Sequence, residues 1–359
     1  MSLRKLFFKS CIRNDLQTAR KCLNRGVNVN TVMRVLGCGK WSGLNIAAKG
    51  NYLELLDLLL SQPSVDVDLG TTIEIGLIDW TPLMIACRAG HHEVVRRLLQ
   101  VPGISILQED SFGDTALHWA AREGHSACLK ELAMVPGLDW NHKDVDGRTP
   151  LCTAIYGHPD SVRIIVAQPG VDFSVKTING TTLAEAAVTS TWGDPVECVK
   201  ILAGIEDVDW NVKMNSGDTP LRYCLKKNKT EMFNVLAECP RVDLNVRDEA
   251  GDSPILWCLK NRRLNEFRVL RRNPRVDLRS AITWAVKNKK LVIVKQLRQA
   301  LEYRLADLER KLKMSWRGRG DPGAGSLMLE EITVMKLRSQ LNLCRRFSDL
   351  KRKHSSFGR

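Results

Sequence analysis

The chain has 359 residues, 44% of them hydrophobic, eleven Cys and a formal net charge of +14. That is enough apolar material for a large core. No apolar run approaches a membrane span, and the Met1-Ser2-Leu3-Arg4-Lys5-Leu6 start lacks an h-region and cleavage site, so the expectation is an intracellular protein, cytoplasmic, nuclear or both, with no transmembrane segment. The charge is polarised: residues 260–280 carry +6 and 281–359 carry +12, leaving about −4 for 1–259, a mildly acidic body with a basic tail.

A phrase returns along the chain at Thr81-Pro82-Leu83, Thr115-Ala116-Leu117, Thr149-Pro150-Leu151, Thr181-Thr182-Leu183, Thr219-Pro220-Leu221 and Ser253-Pro254-Ile255, spaced 34, 34, 32, 38 and 34 residues. Pro63, Pro102, Pro136, Pro169, Pro240 and Pro274 keep step with it. Such a period marks a repeat array.

Two loops near the N-terminus are long. Asn28 to Ser42 is fourteen residues and Asp66 to Thr81 fifteen, against ten from Ser105 to Thr115, Asp139 to Thr149, Asp209 to Thr219 and Asp243 to Ser253. They carry Val32, Met33, Val35, Leu36 and Trp41, then Ile73, Ile75, Leu77, Ile78 and Trp80. In the unit from Asp110, Thr115 is positioned to cap a helix and Gly124 to stop it. A second helix over about 126–134 places Cys128, Leu129 and Leu132 on one stripe before Pro136-Gly137 breaks it. Each unit therefore reads as helix, turn, helix, hairpin loop. The fifth unit lacks a residue near Tyr156-Gly157, and the sixth carries an insertion, Thr189 to Pro195. Asp277 to Ser280 is only three residues, so the last unit starts directly as a helix.

Residues 1–290 thus make about nine units, including degenerate ends, and 291–359 a basic amphipathic tail. In that tail one long helix is expected from Leu291 to Met314, with Val294, Leu297, Leu301, Leu305, Leu308 and Leu312 on one face. A Gly/Arg linker at 315–325 follows, then a stretch from Leu327 to about Leu350 through Ile332, Met335, Leu341 and Phe347, which could pair with the first as a helical hairpin or coiled coil.

The residues of 3–300 resemble the ankyrin repeat family: Thr-Pro-Leu-x-x-Ala, then Gly90-His91, Gly124-His125 and Gly157-His158, then second helices such as Val94-Val95-Arg96-Arg97-Leu98-Leu99. The resemblance implies an all-α repeat solenoid of helix-turn-helix units with hairpin loops. It also implies a protein partner lying across the finger loops and first-helix ends. By position these are Leu77, Ile78, Trp80, Arg88 and Ala89, then Ser111, Phe112, Asp114, Arg122 and Glu123, then Val145, Arg148 and Tyr156.

Catalysis has no support in the chain. It holds no HExxH, P-loop or GxSxG motif, and no CxxC pair that would suggest zinc, so neither an enzyme nor a cofactor is expected. The recurring His residues read as structural bridges between units, and the Cys residues as reduced, half-buried small hydrophobes. The expected function is a non-catalytic interaction scaffold or adaptor. The basic tail is a second contact, for an acidic protein, nucleic acid or an anionic membrane surface. Leu343-Cys344-Arg345 resembles the Leu-Cys-Arg of SOCS-box tails in ubiquitin-ligase adaptors, without the Leu-Pro run that follows such a box. A nucleic-acid-associated regulator is the remaining alternative.

Overall fold

The computed structural model describes residues 2–35, 39–71, 79–318 and 333–345. The chain divides into two compact units, Met1–Asn215 and Ser216–Arg359. The first holds six helix pairs: α1 (Leu3–Ile12) with α2 (Leu16–Asn24), α3 (Gly43–Gly50) with α4 (Leu53–Leu60), α5 (Pro82–Ala89) with α6 (His92–Leu99), α7 (Ala116–Arg122) with α8 (Ser126–Ala133), α9 (Pro150–Ala154) with α10 (Pro159–Val166), and α11 (Leu183–Thr189) with α12 (Pro195–Ala203). The second holds α13 (Pro220–Lys226) with α14 (Thr230–Glu238), α15 (Pro254–Lys260) with α16 (Leu264–Arg272), and α17 (Arg279–Lys287) with the long α18 (Leu291–Gly318). A last helix, α19, covers 333–345.

Helices of five to ten residues are too short to persist alone in water. Packing holds them. In the first unit α1, α3, α5, α7 and α9 stack in one row, and α2, α4, α6, α8, α10 and α12 in another. Between the rows lies the core. Each second helix offers it a narrow stripe, such as Val94, Val95 and Leu98 of α6 or Cys128, Leu129 and Leu132 of α8, all at 0% exposure. Each such large aliphatic contributes about 1.5–3 kcal/mol by leaving water, an amount available only when the neighbouring pair is in place.

The local signals work as their chemistry requires. Thr81, Thr149 and Thr182 accept the backbone N–H three residues on, from Met84 (3.2 Å), Cys152 (3.4 Å) and Glu185 (3.2 Å). Pro82 and Pro150 stand where no N–H is needed. Gly90 ends α5 in the left-handed region at φ 78°, and a Cβ there would come within 2.7 Å of the His125 ring. His91 and His125 each reach back to the preceding unit, bringing Nε2 within 3.0 Å of the Lys49 carbonyl and 3.1 Å of the Arg88 carbonyl. Asn141 bridges forward, donating from its amide to the Gly170 carbonyl (2.7 Å) and accepting the Asp172 N–H (2.8 Å). Asn245 does the same with Arg275 and Asp277.

The irregular stretches also find physical reasons. The first long loop forms a two-stranded antiparallel hairpin, β1 (Met33–Val35) with β2 (Gly39–Trp41), Met33 opposite Trp41. The second is closed at its base, where the Thr71 N–H donates to the Trp80 carbonyl (3.0 Å). The missing residue of the fifth unit and the insertion of the sixth meet each other. α9 is only five residues long, and a Cβ on Gly157 would lie 2.1 Å from the Trp192 carbonyl oxygen. The inserted turn occupies the space the short helix leaves.

Three expectations need correction. The ten cysteines described are buried rather than half-buried, because small apolar side chains fill the space between closely packed helices. In the tail, α18 continues past Met314 to Gly318, since no breaker precedes that glycine. On α19 the buried face is Val334, Leu341 and Cys344, whereas Met335 is 65% exposed. Residues seven and ten positions on from Val334 share its face, and Met335 is rotated away from it. Ile332 and Phe347 lie outside the described residues.

Candidate functional site

In five units the residue just before the first-helix cap and the residue eight positions later sit side by side, since the cap entry and the helix end are brought onto one flank. In three units this pair is a salt bridge: Asp114 with Arg122 (2.6 Å), Asp218 with Lys226 (2.7 Å) and Asp252 with Lys260 (2.7 Å). In the two units with long loops the acid is replaced by an indole. The Lys49 ammonium stands 4.9 Å from the Trp41 ring centroid, and the Arg88 guanidinium 4.4 Å from that of Trp80.

Neighbouring units extend this into a ladder. Trp80 meets Trp119 edge-on, with centroids 5.2 Å apart, a favoured quadrupole geometry. Arg88 also lies 5.1 Å from the Trp119 ring, and Arg122 covers Trp119 at 4.9 Å. Each partly exposed cation–aromatic stack is worth about 0.5–2 kcal/mol. A single oxygen of Asp110 accepts both indole N–H groups, from Trp80 and Trp119, at 3.1 Å each. Its other oxygen accepts the Phe112 and Asp114 N–H groups (2.9 and 3.0 Å). One buried carboxylate thus sets the angle of both rings and the shape of the finger.

The indoles and cations wall a cleft of about 420 Å³ lined by Trp41, Lys49, Trp80, Ile85, Arg88, Ala89 and Glu123. Of the residues expected from sequence, Trp80, Arg88, Glu123, Arg122 and Asp114 belong to this connected cluster. Asp114 is 2% exposed, held bidentately by Arg122, and burial raises its carboxyl against the opposing pull of that guanidinium. Ser111, Phe112 and Val145 stand apart at the finger tips, where the Val145 N–H donates to the Phe112 carbonyl (2.9 Å). The next finger continues the row, the Ile178 N–H donating to the Asp146 carbonyl (2.9 Å). Phe112, Val145 and Ile178 are 51%, 60% and 70% exposed, three successive bare apolar tips. Arg148 pairs with Asp146 (2.7 Å), and Tyr156 is exposed at the end of the shortened unit. Leu77 and Ile78 lie outside the described residues.

Sequence reasoning passed over Lys49, Ile85, Asp110 and Ile178. The alternation of Asp and Trp eight residues before a cation was there to be read. Among the described residues no three His, Cys, Asp or Glu converge as a metal site requires, and no helix is long and apolar enough to cross a membrane.

The family model for ankyrin repeats (three copies) matches residues 7–110, 44–144, 103–177 and 183–279. The chain belongs to the ankyrin repeat family. Proteins of this family in general mediate protein–protein interaction on a non-enzymatic scaffold. The ankyrin repeat domain of Bcl-3 superposes with a TM-score of 0.52 at 24% identity, over 63% of this chain and 97% of that one, a likeness of fold. An ankyrin repeat domain from Acinetobacter baumannii AYE gives 0.46 at 25% identity, over 54% and 94%. The ankyrin repeat and KH domain-containing protein mask of Drosophila melanogaster is 35% identical over 91 residues, a quarter of this chain but 2% of that protein's length. The family match stops at residue 279, short of the tail.

Proposed function

We propose that this chain is a non-catalytic scaffold that holds a protein partner across the finger tips and first-helix ends of its first unit, on the concave ankyrin surface. The observation that carries the reading is the row Phe112, Val145 and Ile178. Three large apolar side chains on consecutive, backbone-linked fingers stand in solvent, where contiguous apolar surface marks an interaction site. The mixed charges beside them, Arg88, Glu123 and Arg148, suit the polar rim of a protein interface. The basic tail, with nineteen Lys/Arg against seven acids over 281–359, supplies a second, salt-sensitive contact to an acidic surface.

The test is photo-crosslinking from Ser111 in cells, with a photoreactive residue at the exposed Lys130 of α8 as control. Crosslinks to one protein species from the finger and none from Lys130 are expected. Phe112→Ser with Val145→Ser should abolish them while moving the melting temperature by no more than a degree or two, since exposed substitutions change stability by about 0.5 kcal/mol or less. Undiminished crosslinking in the double variant would remove the finger row from the interface.

A further inference from the structure

Two cations, Lys49 and Arg88, differ from their counterparts in the other units. Arg122, Lys226 and Lys260 each have a carboxylate of their own chain built in eight residues earlier. At the same register Lys49 and Arg88 have Trp41 and Trp80. An indole face attracts a cation but leaves its N–H donors unpaired. Among the described residues no carboxylate lies within salt-bridge distance of the Lys49 ammonium, and the nearest to Arg88 is Glu123, 3.8 Å from Nε with both side chains more than 40% exposed. So loose and hydrated a pair contributes little. A guanidinium has five donors in a fixed fork and can serve a second carboxylate beside Glu123.

Both cations line one cleft with Ile85, Ala89 and the two indoles, so cationic donors and apolar walls face the same space. Both lie in the part of the chain, residues 1–259, whose charge is about −4 overall. Here the local sign is reversed. Stacking on Trp80 and Trp119 fixes the plane of Arg88 before any ligand arrives, which lowers the ordering cost of binding.

We propose that this cleft docks an acidic peptide segment of a protein partner, Lys49 and Arg88 taking its carboxylates while an adjoining apolar side chain packs on Trp41, Trp80 and Ile85. This rests on the scaffold reading above and specifies the chemistry of its partner. In the units with a built-in Asp the cation is already satisfied. Replacing Asp by Trp turns that same cation outward as a receptor.

The experiment uses the full chain labelled with 5-fluorotryptophan and read by fluorine NMR, with Trp41 and Trp80 assigned by Trp→Phe variants. The probe is the peptide acetyl-Leu-Glu-Asp-Leu-amide, and the control is its neutral counterpart acetyl-Leu-Gln-Asn-Leu-amide. The acidic peptide should shift the Trp41 and Trp80 resonances saturably, and the neutral one should bind about ten-fold more weakly or worse. Lys49→Gln and Arg88→Gln should each weaken binding several-fold. Trp80→Asp, which restores the built-in acid, should silence Arg88 in the same way, followed on Trp41. Arg88→Gln guards against misfolding of that last variant, because Arg88 is exposed.

Equal shifts by both peptides, or indifference to Lys49→Gln and Arg88→Gln, would overturn the proposal. Inorganic phosphate or a short oligothymidylate binding as tightly as the acidic peptide would replace it with a phosphate site. Shifts that depend on protein concentration without peptide would replace it with self-association. If the peptide fails yet the Phe112 and Val145 double variant still loses its crosslinks, the scaffold reading stands and only the acidic specificity falls.

Discussion

His118 is wholly buried with both ring nitrogens engaged. Nε2 donates to the Arg148 carbonyl of the next unit (3.0 Å), which leaves Nδ1 to accept the Thr115 N–H (3.2 Å). The neutral tautomer therefore engages both ring nitrogens, whereas a second proton would cost Nδ1 its bond from the Thr115 N–H and place a charge in the core. Burial accordingly pushes its pKa from 6.5 down to about 4. Between those values the unfolded chain binds a proton that the folded chain refuses. Stability is thus fully present above about pH 6.5 and is lost as pH falls toward 4, by roughly 3 kcal/mol in all. The urea midpoint of the transition reporting α7 should fall from pH 7 to pH 5, and His118→Gln should flatten that fall. An equally steep dependence in the variant would assign it to other groups. Asp110 is the counterpart in the site, one carboxylate oriented by backbone donors so that it can hold two indoles.

At the scale of elements, α18 shows how an end of the second unit is closed. Its Val294, Leu297 and Leu301 are fully buried against α16 and α17. Arg304, 6% exposed, donates to the Val276 carbonyl (2.7 Å) and the Arg271 carbonyl (2.8 Å) at the end of α16. A cation at a helix C-terminus meets the negative end of the helix dipole and the carbonyls that lack intrahelical partners. Burial lowers its pKa to about 10, yet it remains charged at neutral pH. Arg304→Met keeps the length but strands those carbonyls, and should cost about 2–4 kcal/mol in the unfolding of the second unit by urea. A loss under about 0.5 kcal/mol, the level of an exposed substitution, would mean that water replaces the guanidinium. The stripe 294, 297 and 301 was legible in the sequence as a helical period, because it depends on neighbours within one helix. The partner of Arg304 was not, since α16 ends some thirty residues earlier.

At the scale of the whole molecule, stacking of pairs within each unit makes that unit's stability a sum of nearest-neighbour terms, so that a pair packed against one neighbour, as α1 and α2 are against α3 and α4, opens more readily than one packed between two. Thiol labelling of the cysteines tests this. Cys11 and Cys22 lie in the first pair, Cys87 and Cys128 further in, and all are buried. In native buffer these thiols should resist a thiol reagent. In urea below the main transition, Cys11 and Cys22 should be modified before Cys87 and Cys128, as peptide mapping can show. Simultaneous modification would mean that the first unit opens as one block. Burial also raises the thiol pKa of Cys11 to about 12 and that of Cys87 well above its ordinary value, so neither is a ready nucleophile in the fold.

The sequence by itself determined the period, the helix pairs, the caps and the long and lost loops, because the period is a recurrence along the chain and each helix, cap or loop depends on groups within about fifteen residues of one another. Only the tertiary structure decided the site. Trp80 and Trp119 share Asp110 across a unit boundary, the exposed tips Phe112, Val145 and Ile178 align through backbone bonds between fingers, and Lys49 and Arg88 open on one cleft. Those encounters join residues some thirty to forty positions apart. Their geometry follows from how one unit settles on the next, a packing result that no single repeat encodes.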